Sequence, residues 1–351
     1  MKRKPSIPYC ILLLLILVMA TVAYGCGKET EDPEPKATPT AVPTAKQPTP
    51  EPTATPTEEA EPTPTNTPTP EPNKRPEVTY GKWNSLNSVY ELAYDIGEKH
   101  GVKIYAADLL PNEVIKQLGG RTFADKQPVL AELEQLDSIL DIFPKDFFRQ
   151  MISDVPIEIP FSFYLGMDSD KIRGIDFVAV LDGPQDSPDS ELLGIGIYIN
   201  SPETGTHEYL PSNTYFAIAT AYQDYCYSMS TWGKTQLFDE DIWMSLQPEG
   251  FHYVGDNNLT EATMAQYIDY FQYPRQCYGS WDDRNVILCI LFEFTYTNES
   301  MKLPAPTLKK MGYLVDCLRD SLATEDWPAE TKWEAEYKRL CKIAGVEPGW
   351  K

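Results

Sequence analysis

Glu29 to Asn73 decides how much of this chain can fold. The stretch repeats TPT, PEPTP and TPTP and holds almost no large apolar residue. Without apolar surface to bury, it cannot offset the entropy lost on ordering a backbone. Its proline content favours extended polyproline II, at about 3.1 Å per residue, so a run of this length reaches on the order of 140 Å. It reads as a disordered Pro/Thr/Glu-rich linker over 26–75, serving either as a stalk or as a generic spacer. A folded domain is left for 76–351, a length that suits one large domain or two small ones.

Residues 1–25 read as a secretion leader. Lys2, Arg3 and Lys4 make a basic start, and Ile11 to Ala20 is an apolar run too short to span a bilayer comfortably. The leader ends in Ala23-Tyr24-Gly25-Cys26-Gly27, which resembles a lipobox. Cys26 is therefore the expected lipidation site, and the mature chain is expected on the extracellular face of a cell membrane, held by an N-terminal lipid. Tyr24 stands where a small residue is usual, so an ordinary secreted or membrane-tethered product is the alternative.

The whole chain carries a net charge of −22. The leader is basic, and the linker holds nine acids against five bases, so nearly all the negative charge belongs to the folding region. Such a surface excludes nucleic acid as a probable partner and favours solubility. Beyond Cys10 and Cys26, five cysteines remain, at 226, 277, 289, 317 and 341. With an odd number and no CxxC pair, neither a zinc knuckle nor a full disulfide framework is indicated. One or two bridges or buried free thiols are both open.

Apolar spacing predicts helices over Trp83–His100, Gln127–Phe143 (ended by Pro144), Asp146–Ile152, Ser212–Trp232, Glu240–Leu246, Ala262–Phe271, Asp282–Phe294 and Thr307–Leu322. Strands are expected at Val102–Tyr105, Ile157–Leu165, Ile175–Leu181 and Leu193–Ile199. Helices, then a small mixed sheet, then helices imply an α+β domain.

Candidate chemistry is sparse. Of three histidines, His207 opens like HExxH but continues Glu208-Tyr209-Leu210-Pro211, and that proline would break the helix the motif needs. His252 lies in the aromatic turn GFHY, and His100 lies at a helix end, where a cation suits the dipole. Asp282-Asp283-Arg284 reads either as helix capping plus an ion pair or as a metal ligand with an orienting carboxylate. No GxSxG elbow is present, and Gly119-Gly120-Arg121 lacks the lysine of a phosphate-binding loop. The many Tyr and Trp residues fit either a sugar- or peptide-binding groove or ordinary core.

Several segments together resemble a clostridial lipoprotein family of zinc-binding metallopeptidases. WMSLQPEGFHY (Trp243–Tyr253) is similar to the family's W-x-x-L-N-P-x-G-F-x-Y, with Gln247 for Asn. YFQYPRQCYGSWDDR (Tyr270–Arg284) is similar to Y-F-x-x-x-Y…E-D-R, with Asp282 for Glu. PKDFFRQ (Pro144–Gln150) resembles P-x-G-F-F-x-Q, and Pro306–Pro328 resembles the closing helix. The resemblance covers most of Tyr80–Trp333 and implies a zincin-like fold in a Gram-positive-type envelope. The family's zinc helix reads T-x-Y-H-E-x-x-H, and Thr214 to Ala221 match it. Both imidazole positions are then alanine, Ala217 and Ala221, and the general-base position is Ile218. Zinc needs three protein ligands with one position open for water, and a carboxylate must take that water's proton. Asp282 alone does not supply this, so the expectation is a pseudopeptidase with no catalytic residues and no bound metal. Its former cleft would be lined by Tyr215, Trp243, Phe251, Tyr253, Asp283 and Arg284, and would take a peptide or cell-wall ligand. Two alternatives stand beside it. One is an active zinc hydrolase with a displaced site built from His207, His252 and Asp282 or Glu208. The other is a carbohydrate-binding lipoprotein with a row of exposed aromatics.

Overall fold

A computed structural model describes residues 87–351 except 107–111, 119, 123–125, 154–159, 170–173, 183–190, 201–208, 232–235, 256–266 and 268–269. The chain divides after Glu77, and all described residues lie in the second unit, Val78–Lys351. The leader, Cys26, the linker, His207 and Glu208 lie outside the described residues, as does most of the helix expected at Ala262–Phe271.

The chain opens with α1 (Asn87–His100), β1 (Lys103–Ala106), α2 (Asn112–Leu118), β2 (Gly120–Thr122), α3 (Lys126–Leu140) and the single turn α4 (Phe147–Gln150). Strands β3 (Phe161–Ser169), β4 (Ile175–Asp182) and β5 (Glu191–Asn200) follow. The remainder is helical: α5 (Leu210–Thr231), α6 (Glu240–Ser245), a 3₁₀ turn at Pro274–Cys277, α7 (Ser280–Thr297), α8 (Ala305–Leu322) and α9 (Lys332–Ala344). This is an α+β arrangement with a small mixed sheet and a helical C-terminal part. Among the described residues no helix is long and apolar enough to cross a membrane.

The sheet runs β1-β3-β5-β4, with β1 and β5 parallel to β3 and β4 antiparallel to β5. The short β2 pairs antiparallel with the far end of β3, so β1 and β2 flank different halves of that strand. Phe161 to Leu165 are all buried, as expected for a central strand covered on both faces. At β1 burial alternates, as expected of an edge. The other edge is β4, where the Gln117 side chain donates to the Ala179 carbonyl at 2.8 Å and occupies one ladder position. Gly196 of β5 faces Ser162 so closely that a Cβ there would lie 1.8 Å from the Ser162 carbonyl oxygen.

The helical half meets the sheet through an aromatic cluster. Phe143 packs on Phe147 at 4.7 Å and on Phe292 at 5.0 Å, and Trp333 stacks edge-on with Phe147 at 5.7 Å. Asp146 holds this turn at φ 66°. It stands where the resembling motif carries glycine, and aspartate is among the few residues that tolerate the left-handed region. Helix α9 starts in a capping box between Thr331 and Glu334 and stops at Gly345, φ 75°. After it the chain folds back. The Gly349 amide donates to the Tyr337 hydroxyl at 2.8 Å, and Trp350 meets Tyr313 edge-on at 5.0 Å while its indole N–H donates to Asp316.

Candidate functional site

Helix α5 begins at Leu210, with Pro211 at its first turn, where a missing N–H costs nothing. Ser212 is no cap. Its hydroxyl donates to Glu293 of α7 at 2.9 Å and so ties these two interior helices together. Burial pushes the Glu293 carboxyl up from its ordinary range, and the Ser212 hydrogen bond partly opposes this.

Ala217, Ile218 and Ala221 all lie in the principal apolar core, and Ile218 is 0% exposed. Burying such a side chain contributes about 1.5–3 kcal/mol. Small alanines on either side of isoleucine let α5 approach its neighbours closely. Tyr215, one turn earlier, is also in the core, and its hydroxyl donates to the Ile139 carbonyl of α3.

The first turn of α7 is polar and interior. Three consecutive charges go three ways. Asp282 accepts from Arg275 Nε at 2.6 Å in a half-buried pair, and the Arg275 guanidinium lies 4.7 Å over the Phe216 ring. Arg284 donates to Glu240 at 2.7 Å and to Gln223 at 2.8 Å, and it stacks 4.7 Å over Phe238. Asp283 faces inward and is wholly buried. Its Oδ2 accepts from Lys310 Nζ at 2.9 Å, Tyr253 Oη at 3.0 Å and Gln247 Nε2 at 3.1 Å, and its Oδ1 accepts from Gln276 Nε2 at 2.8 Å. Lys310 is equally buried and lies 4.0 Å over the Phe271 ring. Burial lowers the pKa of its ammonium, and the Asp283 charge opposes that. Thus α6, the 247–254 loop, the 3₁₀ turn and α8 are all bonded to one carboxylate, directly or through Trp243 Nε1 and Tyr253.

Of the six residues expected to line a cleft, five are interior. Tyr215 and Trp243 belong to the principal core, Phe251 to a small core with Phe271 and Cys277, and Asp283 and Arg284 to the polar network just described. Tyr253 is only partly buried, and its hydroxyl is committed to Asp283. The physical reason is the network itself, which pairs the Asp283 carboxylate and the Arg284 guanidinium inside the protein. Asp282 is committed to Arg275, which corresponds to the ion-pair reading of Asp282-Asp283-Arg284. The capping half of that reading does not hold, since Gly279 is the N-cap and no side chain caps the turn. His252 is exposed.

Sequence reasoning missed Lys310 as the partner of Asp283. The signal was present: Lys310 stands one turn from Leu314 and Thr307, on the buried stripe of α8. Also missed were α2, β2, the 3₁₀ turn and α9. All five domain cysteines are free and buried. Burial pushes the Cys277 thiol up to about 11 and Cys317 up to about 12, so neither is a thiolate at neutral pH.

Among the described residues one group has the composition of a metal site: His100, Asp137 and Asp141. Lys99 Nζ already lies 2.8 Å from both carboxylates, and His100 Nε2 is 2.7 Å from Asp137. His100 is buried rather than a solvated cation at a helix end, and burial lowers its pKa. The His100 ring and both carboxylates thus already have partners within the protein. The cluster is a salt-linked clamp between α1 and α3.

No family model matches this chain, and neither does any curated protein or solved structure.

Proposed function

We propose that this chain is a surface-anchored lipoprotein whose folded region is a zincin-like, metallopeptidase-like domain without metal or catalytic residues. It acts by binding or scaffolding, with a peptide or cell-wall ligand, on the extracellular side of a Gram-positive-type envelope. One observation carries this reading: the positions that match the family's two imidazoles and its base, Ala217, Ala221 and Ile218, are buried in the principal core on α5. An apolar trio packed there has no lone pair for zinc and no site for a proton. A site displaced onto His252 and Asp282 has less support, because Asp282 is held by Arg275 and His252 is exposed. A carbohydrate-binding row of aromatics has less still. Among the described residues, Tyr227 is the one aromatic in the set of large exposed hydrophobic side chains.

Metal analysis of the purified protein after exhaustive dialysis tests the proposal. The expected result is zinc far below stoichiometry. One zinc per chain that survives dialysis would overturn it.

A further inference from the structure

We propose that Lys310 and Asp283 condense into an intramolecular amide, a covalent bond between α8 and α7 in the interior of the protein. The two groups are fully buried, and the amine nitrogen lies 2.9 Å from Asp283 Oδ2. The Lys310 side chain has nowhere else to go. Among the described residues its other contacts are the Tyr270 carbonyl at 3.4 Å and the faces of Phe271 and Trp243. Burial penalises both charges, and moving one proton from the ammonium to the carboxylate along this contact removes both. The product of that transfer is a free amine held against a carboxylic acid, which are the two reactants of amide formation.

The hydrogen bonds around Asp283 divide its two oxygens into different roles. Among the described residues, Oδ1 accepts from Gln276 Nε2 alone, at 2.8 Å. Oδ2 accepts from Lys310, Tyr253 and Gln247. In the reaction the Lys310 ammonium gives a proton to Oδ2, and the freed nitrogen lone pair attacks Cγ. A C–N bond forms, and the negative charge moves to Oδ1, where the Gln276 donor stabilises it as an oxyanion-hole donor does. The nitrogen then loses a second proton. The Tyr253 hydroxyl, already donating to Oδ2, passes its own proton there and takes the one from nitrogen. The Cγ–Oδ2 bond breaks and one water leaves. Oδ1 remains as the amide carbonyl, still bonded to Gln276, and the amide N–H is placed for the Tyr270 carbonyl. Atoms and charge balance, and no oxidant or cofactor enters. The bond closes the chain between Asp283 and Lys310 into a ring and so restricts the unfolded ensemble, as a disulfide does.

The test is a peptide map and intact mass of the full-length protein. Trypsin cleaves after a free lysine but not after an acylated one. The proposal expects Gln276–Arg284 to be recovered as a branch on Lys310–Arg319, lighter by one water than the two peptides together. It also expects Lys310→Met protein to lack that loss of water. Because this variant can fail to fold, the wild-type map alone decides the matter. Linear peptides cut after Lys310, with no water lost, would overturn the proposal. So would a water lost with Lys310 still cleavable, which would mean a cyclised aspartate instead.

Discussion

Helix α5 and the first turn of α7 are neighbours in the interior and solve the same problem in opposite ways. On α5 the buried strip Ala217, Ile218, Ala221 carries no polar side-chain atom. On α7 the buried residues Asp283 and Arg284 bring polar side chains into the interior, and each is held by partners from several other elements. An apolar strip needs only close neighbours, so its stability is spread over many small contacts. A buried charge needs every partner at once, because the loss of one leaves the rest desolvated and unpaired. Damage to the first region should therefore be graded, and damage to the second abrupt.

The largest expected effect comes from placing the second kind of chemistry in the first region. Ile218→Glu would bury an unpaired carboxylate among apolar side chains and should cost on the order of 4 kcal/mol or more. Urea unfolding would read this, and the loss should shrink at acid pH, where the carboxyl is neutral. A loss under about 1 kcal/mol, the scale of an ordinary surface change, would show that this strip reaches water. Next comes Asp283→Ala, which strands Lys310 and should cost about 3–5 kcal/mol. Here Asp283→Leu with Lys310→Met should recover the part of that loss that comes from a stranded amine, but not the part that comes from the lost cross-link between α7 and α8. Additive losses in the double variant would show that the polar network contributes more than mutual neutralisation.

A smaller, pH-graded effect is expected at Glu293. Its folded pKa lies above the ordinary glutamate value of 4.5, so its protonated form favours the fold. That contribution is complete below 4.5 and is lost as pH rises through the folded pKa. Glu293→Gln, which stays neutral and can keep the Ser212 bond, should gain stability over wild type at pH 7. The gain should fade as pH falls through the folded pKa and be gone below 4.5, and melting curves across that range would show it. Smallest of all is Arg275→Ala. Its pair with Asp282 is partly solvated, and its loss should cost only about 0.2–1 kcal/mol. The contrast between Asp282 and Asp283, adjacent in sequence, isolates burial as the cause.

What the sequence made legible follows the range of the signal. The stripe Leu130, Leu133, Leu136, Ile139, Leu140 predicts a helix over Gln127–Phe143, and α3 runs Lys126–Leu140. β4 and β5 differ from their expected spans by one to two residues. Each of these rests on contacts within one element. Helix α9 had comparable local marks, with Thr331 and Glu334 as a cap and Trp333, Tyr337, Leu340 and Cys341 along one face. Charged residues between them dominate its composition and mask that face. The Asp283 network was illegible for a different reason. Its partners sit at 247, 253, 276 and 310, and no local period connects such positions. Aromatic and charged residues also look alike in sequence whether they line a surface or, like Trp243, Phe251, Asp283 and Arg284, lie inside.

The sheet order also sets a timetable for folding. β4 and β5 pair antiparallel and lie close along the chain, so a short closure brings them together. β1 joins β3 only after the whole of α2, β2, α3 and α4 has been spanned, and β3 reaches β5 across β4. Parallel pairings of that range form late and slowly. Until they form, β3 presents an unpaired, strongly apolar edge, Phe161 to Leu165, to any other chain nearby. For this protein the hazardous moment is thus the interval before β1 arrives, when self-association competes with completion of the sheet.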